Sequence, residues 1–183
     1  DHLPVKSGQL LTSLPEGVPI ESWELSSGRV ASARSEMNRI GLSERAFFKV
    51  GDALKLEPLQ APRAILLDAP CSGSGTWKRH PESKWRLSPE RLTQAAELQS
   101  SLLGRAFRLV QPGGVVVYCT CSLFREENEQ VVGAALGSVS GIVELPLDFP
   151  GGISVRGKPY GRVLWPKLPW VDGFYVAAFM KRP

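Results

Sequence analysis

From Val18 onward the chain alternates short apolar runs with amphipathic stretches, and this constrains its fold most: the pattern is that of βα units feeding a mostly parallel sheet. Val18 to Trp23 reads as a strand, Ser26 to Ile40 as a helix opened by a serine cap and closed by Gly41, and Ala46 to Val50 as the next strand. The run Ala64 to Pro70 (AILLDAP) reads as a buried strand ending in an acid. Ser88 and Pro89 start the longest helix, to Val110, and Gln111-Pro112-Gly113-Gly114 stops it. Val115 to Tyr118 (VVVY) is a second buried strand, and a helix over Phe124 to Leu136 is expected after it. Beyond Gly141, strands near Arg162 to Leu164 and Gly173 to Phe179 are expected to form an antiparallel hairpin at a sheet edge.

A length of 183 residues leaves room for one sizeable core, so residues 1–183 are read as a single α/β domain. No apolar run approaches the ~20 residues that span a bilayer, and the first thirty residues show no secretory signal pattern. The reading is a cytoplasmic protein without a membrane partner, and a monomer. Lys and Arg number 22 against 18 Asp and Glu, a modest excess that suits an anionic partner without requiring one. The opening DHLPVKSGQLL holds no complete first strand, so further upstream sequence is expected.

In open α/β sheets the binding crevice lies at the carboxyl ends of the strands. Four strand ends carry candidate groups: Glu24, Asp52, Asp68 and Cys121. An acid at one such end can take the two hydroxyls of a ribose and an acid at the next can meet an adenine edge, the layout of a nucleoside-cofactor site. Taken alone, Glu24 or Asp52 reads equally as a helix cap or a solvated loop acid. Asp68 and Cys71 stand three residues apart in a Gly-rich turn where backbone can approach a ligand, and Cys121 ends a neighbouring strand. Two thiols and a carboxylate can therefore converge. The ordinary fate of a free cysteine is a small buried hydrophobe, and Cys119 is read as that. Three Cys with His2 and His80 make a poor zinc set, so no metal is expected. A Cys–His hydrolase is disfavoured too, since His80 is its one plausible base.

Three segments carry a specific resemblance: LLDAPCSGSGTWKRHPESKW, PGGVVVYCTCSLFREENEQVV and DGFYVAAFMKR. They resemble the RNA cytosine-C5 methyltransferases of the Sun/Fmu and NSUN family, over nearly the whole chain, and KRHPESKW looks most like the bacterial Sun/Fmu branch that methylates small-subunit ribosomal RNA. The resemblance implies a Rossmann-like fold with helices on both faces of the sheet, and S-adenosyl-L-methionine as cofactor. The family's cofactor loop runs from a strand-ending Asp through two Ala, Pro and two Gly to Lys-Thr. One register matches Asp1 to that Asp and leaves Gln9 at the Lys position. The preferred register matches Lys6-Ser7 to Lys-Thr and implies that the Gly-rich loop before Lys6, with the N-terminal RNA-binding part, is absent from this chain.

By the same resemblance Cys121 is the nucleophile that adds to cytosine C6, and Asp68 bonds N3 and the exocyclic amine. Cys71 acts as base or release helper, and Lys6 favours the thiolate. Glu24, Asp52 and Ala53 would line the cofactor site with Asp68, while Arg29 would touch cofactor or RNA backbone unless it is a solvated helix residue. Lys78, Arg79, His80, Lys84 and Arg86, interleaved with Trp77 and Trp85, form a basic and aromatic stretch suited to RNA, or an exposed loop whose Trp packs inward. Two other readings stand beside this one: a non-catalytic RNA-binding or ribosome-assembly module with a degenerate cofactor site, and a DNA cytosine methyltransferase, against which Thr-Cys-Ser argues by resemblance.

Overall fold

The computed structural model of the chain describes residues 3–147, 160–166 and 171–183; Asp1 and His2 lie outside them. Asp1–Gln60 and Ala61–Pro183 form two compact units, each with its own apolar cluster.

In the first unit the opening segment, where the sequence shows no strand, is a helix, α1 (Leu3–Ser13), that runs through Val5 and Lys6. Its buried residues, Pro4, Ser7, Gly8 and Leu11, keep the i, i+3, i+4, i+7 spacing of one helix face. Only Leu11 of the four is a large apolar residue, which hides the period from a hydrophobicity reading. β1 (Ile20–Glu24) leads into α2 (Ser27–Arg39), whose cap is the expected Ser26: its hydroxyl accepts the Arg29 N–H at 3.3 Å. Gly41 follows α2 with φ 74°, a left-handed stop. β2 (Ala46–Val50) pairs with β1 in parallel, Glu24 opposite Val50. Val30, Ala33 and Met37 of α2 pack with Leu11 and Phe48 to close this core.

The second unit holds β3 (Ala64–Asp68), α3 (Pro89–Leu109), β4 (Val115–Thr120), α4 (Glu129–Ser138), β5 (Ile142–Leu145), β6 (Arg162–Leu164) and β7 (Phe174–Lys181). Its sheet runs β3-β4-β7-β5, with β6 also on β7. β3 and β4 are parallel, and β7 is antiparallel to β4, β5 and β6. The expected hairpin is thus the β6–β7 pair, with β7 inside the sheet. β5, four residues long, was too short to register in the sequence. Leu103, Phe107, Tyr118, Tyr175 and Phe179 are each 0% exposed in one core. Full burial of a large apolar side chain stabilises by about 1.5–3 kcal/mol. Phe107 meets Phe179 edge to face at a centroid separation of 5.2 Å.

Two expectations need correction. The strand in AILLDAP ends in its acid, Asp68, as expected, but it is not buried: Ala64, Leu66 and Asp68 are exposed in strict alternation. Among the described residues β3 has one strand neighbour, β4, and an edge strand needs only partial cover. The helix expected from Phe124 starts instead at Glu129. The Ser122 hydroxyl accepts the Phe124 N–H, Asn128 Nδ2 donates to the Ser122 carbonyl, and the Tyr118 hydroxyl donates to the Glu127 carbonyl. These bonds give the backbone an alternative to helix over 122–128.

Candidate active site

Cys71 and Cys121 are brought together by the ends of two adjacent parallel strands. Cys121 follows the last residue of β4, and Cys71 lies three residues past the end of β3. Their Sγ atoms are 3.3 Å apart, and both residues are half-buried and in no disulfide. Gly75 allows this approach: its N–H donates to the Cys121 carbonyl at 2.8 Å, and its own carbonyl accepts the Gly173 N–H at 2.9 Å. A Cβ at Gly75 would stand 2.2 Å from the Gly173 carbonyl oxygen and 2.8 Å from that of Cys121. No side chain fits there.

The two thiol loops are joined beneath the sulfurs by a buried polar network. Ser122 Oγ lies 3.3 Å from Ser72 Oγ and 3.2 Å from Ser74 Oγ, and the Ser74 hydroxyl accepts the Leu123 N–H. Glu127 accepts from the Ser72 N–H at 2.8 Å, from the Ser72 hydroxyl, and from Gln99 Nε2 at 3.1 Å. Thr120 donates to Asn128 Oδ1 at 2.7 Å. Gln99, Thr120, Ser122, Glu127 and Asn128 are all 0% exposed. None of these network residues was singled out from sequence. The visible signal was polar: REENE places three acids and an amide where an amphipathic helix had been expected to begin.

The hydrogen bond with Cys121, burial, and the charge on Cys121 when ionised all push the Cys71 thiol well above the ordinary range, and Glu127 adds to this. This favours the protonated form of Cys71, and either sulfur can be the donor across the 3.3 Å contact. Cys119 is buried, as expected, and its thiol reaches the Leu67 carbonyl at 3.6 Å and Asp68 Oδ1 at 3.7 Å. The parallel register places Asp68 opposite Cys119, so the carboxylate has a thiol contact that the sequence did not suggest.

In the first unit, Glu24 ends β1 and Asp52 stands two residues past the end of β2, at the same end of that strand pair. Glu24 accepts the Ser26 N–H at 2.9 Å and pairs with Arg29. The bond from Arg29 holds its carboxyl below the usual range, against partial desolvation. Arg29 thus sits on the acid that ends β1. Asp52 Oδ1 caps its own turn through the Leu54 N–H at 2.9 Å, next to Ala53. Two carboxylates at neighbouring strand ends are suited in chemistry to ribose hydroxyls and an adenine amino group, so the donor set fits a nucleoside cofactor. Lys6 is half-buried in α1.

The basic stretch divides. Arg79 grips Asp172 with two guanidinium nitrogens, and Lys78 donates to the Pro166 carbonyl at 3.3 Å. His80 lies 3.6 Å from Glu82, and Lys84 lies 4.8 Å over the Trp85 ring. The Arg86 carbonyl accepts the Arg91 guanidinium at 2.8 Å. Trp85 is 81% exposed, whereas Trp77 packs edge-on against Phe124. The inward-packed tryptophan describes Trp77 and not Trp85. Among the described residues no group of His, Cys, Asp and Glu is arranged to hold a metal, and no helix is long and apolar enough to cross a membrane.

This α/β architecture is the Rossmann-like fold of S-adenosyl-L-methionine-dependent methyltransferases. The chain belongs to the 16S rRNA methyltransferase RsmB/F family, whose model matches residues 6–180. The family uses S-adenosyl-L-methionine as methyl donor. Ribosomal RNA small subunit methyltransferase B of Thermus thermophilus is 36% identical over 162 residues, 88% of this chain and 39% of that protein. Ribosomal RNA small subunit methyltransferase F of Serratia proteamaculans is 34% identical over 180 residues, 96% of this chain and 38% of that protein. The crystal structure of NSun6 from Pyrococcus horikoshii with SFG superposes with a TM-score of 0.74 at 25% identity, covering 90% of this chain and 42% of that one. The chain thus spans about two fifths of the length of the curated relatives it matches.

Proposed function

We propose that this chain is the catalytic domain of an RNA (cytosine-5-)-methyltransferase acting on small-subunit ribosomal RNA, and that Cys121 attacks the target base. The observation that carries the reading is the pair of thiols at two strand ends, their Sγ atoms 3.3 Å apart. Cytosine C5 is a poor nucleophile until a thiolate adds at C6 and pushes electron density onto it. Cys121 forms that bond, and the Cys71 S–H steadies the thiolate beforehand. Asp68 is assigned to N3 and the exocyclic amine, where negative charge develops. Lys6 is assigned the cation that favours the thiolate.

S-adenosyl-L-methionine, when bound, supplies the electrophilic methyl group, and Glu24, Asp52 and Ala53 are assigned to its nucleoside. Once Cys121 is a thioether it carries no charge to hold the Cys71 thiol up, so Cys71 gives its proton to solvent and, as the thiolate, takes the C5 proton; the electron pair of that C–H bond expels the Cys121 sulfur as a thiolate and restores the ring. The exposed Trp85 with Lys84 over its face, together with Lys78, Arg79, His80 and Arg86, is assigned to the RNA.

The test is methyl transfer from labelled donor to small-subunit ribosomal RNA by the full-length protein, with the product nucleoside identified by mass spectrometry. Label in 5-methylcytosine is the expected result. Tight RNA binding with no methyl transfer would instead favour the non-catalytic module, and label on another base would overturn the chemistry.

A further inference from the structure

A buried carboxylate needs a reason. Taking a carboxylate out of water costs several kcal/mol unless its hydrogen bonds are all remade, and an apolar residue of similar size would often be as stable. Glu127 is 0% exposed, and its carboxylate accepts three bonds, two of them from Ser72. Its remaining donor, Gln99 Nε2, also bonds the Pro70 carbonyl at 2.7 Å. Pro70 and Ser72 flank Cys71, so the Glu127–Gln99 pair holds the turn on both sides of that thiol. Glu127 is itself tied to β4: the Tyr118 hydroxyl donates to its carbonyl at 2.6 Å, three residues before Cys121. Glu127 therefore braces the Cys71 turn, through its carboxylate, against β4, which Cys121 follows, through its carbonyl.

We propose that Glu127 is a positioning residue, which sets the separation of the two thiols by fixing the Cys71 turn on β4; its part in catalysis rests on the function proposed above. It acts through Ser72 and, by way of Gln99, through the Pro70 carbonyl, without touching a reacting atom. Loss of about 1 Å of placement at a reacting group can cost on the order of 100-fold in rate.

The first test needs no RNA. Phenylarsine oxide bridges two close thiols: two arsenic–sulfur bonds form, and the oxide oxygen leaves as water with both thiol protons. In the full-length protein carrying Cys119→Ala, affinity for phenylarsine oxide is measured for the parent, Glu127→Gln and Ser72→Ala. The expected loss is about tenfold for Glu127→Gln and about threefold for Ser72→Ala, which removes one of the three bonds and leaves the Ser72 N–H. Affinities within about twofold of the parent for both variants would overturn the proposal. Should Glu127→Gln not fold, Ser72→Ala decides alone, because its half-buried side chain lies on the turn. The second test is kinetic: Glu127→Gln should lower kcat about 100-fold with KM for donor and RNA within about twofold. A rise in KM with kcat kept would overturn a positioning role. A parent protein that binds the arsenical and methylates no cytosine refutes the proposed function and leaves the brace standing.

Discussion

The thiol site of the second unit and the acid pair of the first are built by opposite means. Cys71 and Cys121 are set by contacts between residues 28 to 55 positions apart, through Ser72, Ser122, Gln99 and Glu127, most of them fully buried. Glu24 and Asp52 are set by neighbours two to five residues away, and their side chains are 17% and 39% exposed. A group that forms a covalent bond must be held to a fraction of an ångström, whereas a group that accepts hydrogen bonds from a ligand works through a looser, solvated hold. The buried network is therefore expected to be intolerant of change and the acid pair forgiving.

The sharpest break between the two regions comes from the proposed nucleophile. Cys121→Ala should abolish methyl transfer with the fold intact, as read by activity and thermal melting together. Gly75→Ala should rank next, because its Cβ would overlap backbone oxygen that cannot move aside. A loss of about 3 kcal/mol or more is expected in denaturant unfolding. Glu24→Gln, by contrast, should weaken donor binding about tenfold by calorimetry, the value of one charge-assisted hydrogen bond, with melting shifted little.

Two smaller effects refine the contrast. Cys71 should react with iodoacetamide more slowly than a free thiol at pH 8 to 9, and Cys121→Ala should speed that reaction by removing the leading cause of its raised pKa. The sign for stability follows: a thiol held protonated in the native state while the unfolded chain ionises near pH 8.5 loses stability as pH rises beyond that value. Glu24 has the opposite sign. Its lowered carboxyl contributes above the unfolded value of 4.5 and is lost as pH falls below it, a small effect at so exposed a pair.

Local features were legible in the sequence and non-local ones were not. Ser26, Ser88 and Gly41 announced helix ends because capping is a contact within three or four residues. β2 matched its expected bounds, and β4 extended its expected run to Thr120. The thiol pair was legible because two strand ends in parallel order must lie side by side. α1 was missed because its buried face is Pro, Ser and Gly as much as Leu, and the delayed start of α4 because its residues bond to partners around Ser122. Glu127 was invisible for the same reason: a polar residue in a helix-like run looks solvated until its distant donors are known.

The central claim is that Cys121 bonds the base and Cys71 stands by as the protonated partner. It is tested most directly by incubating full-length Cys71→Ala with donor and small-subunit ribosomal RNA, then resolving the products by denaturing electrophoresis and mapping the adduct by mass spectrometry. The account predicts an RNA adduct that survives denaturation, maps to Cys121 and is absent when Cys121→Ala is added. An adduct at any other residue, or one that persists in the double variant, would contradict it.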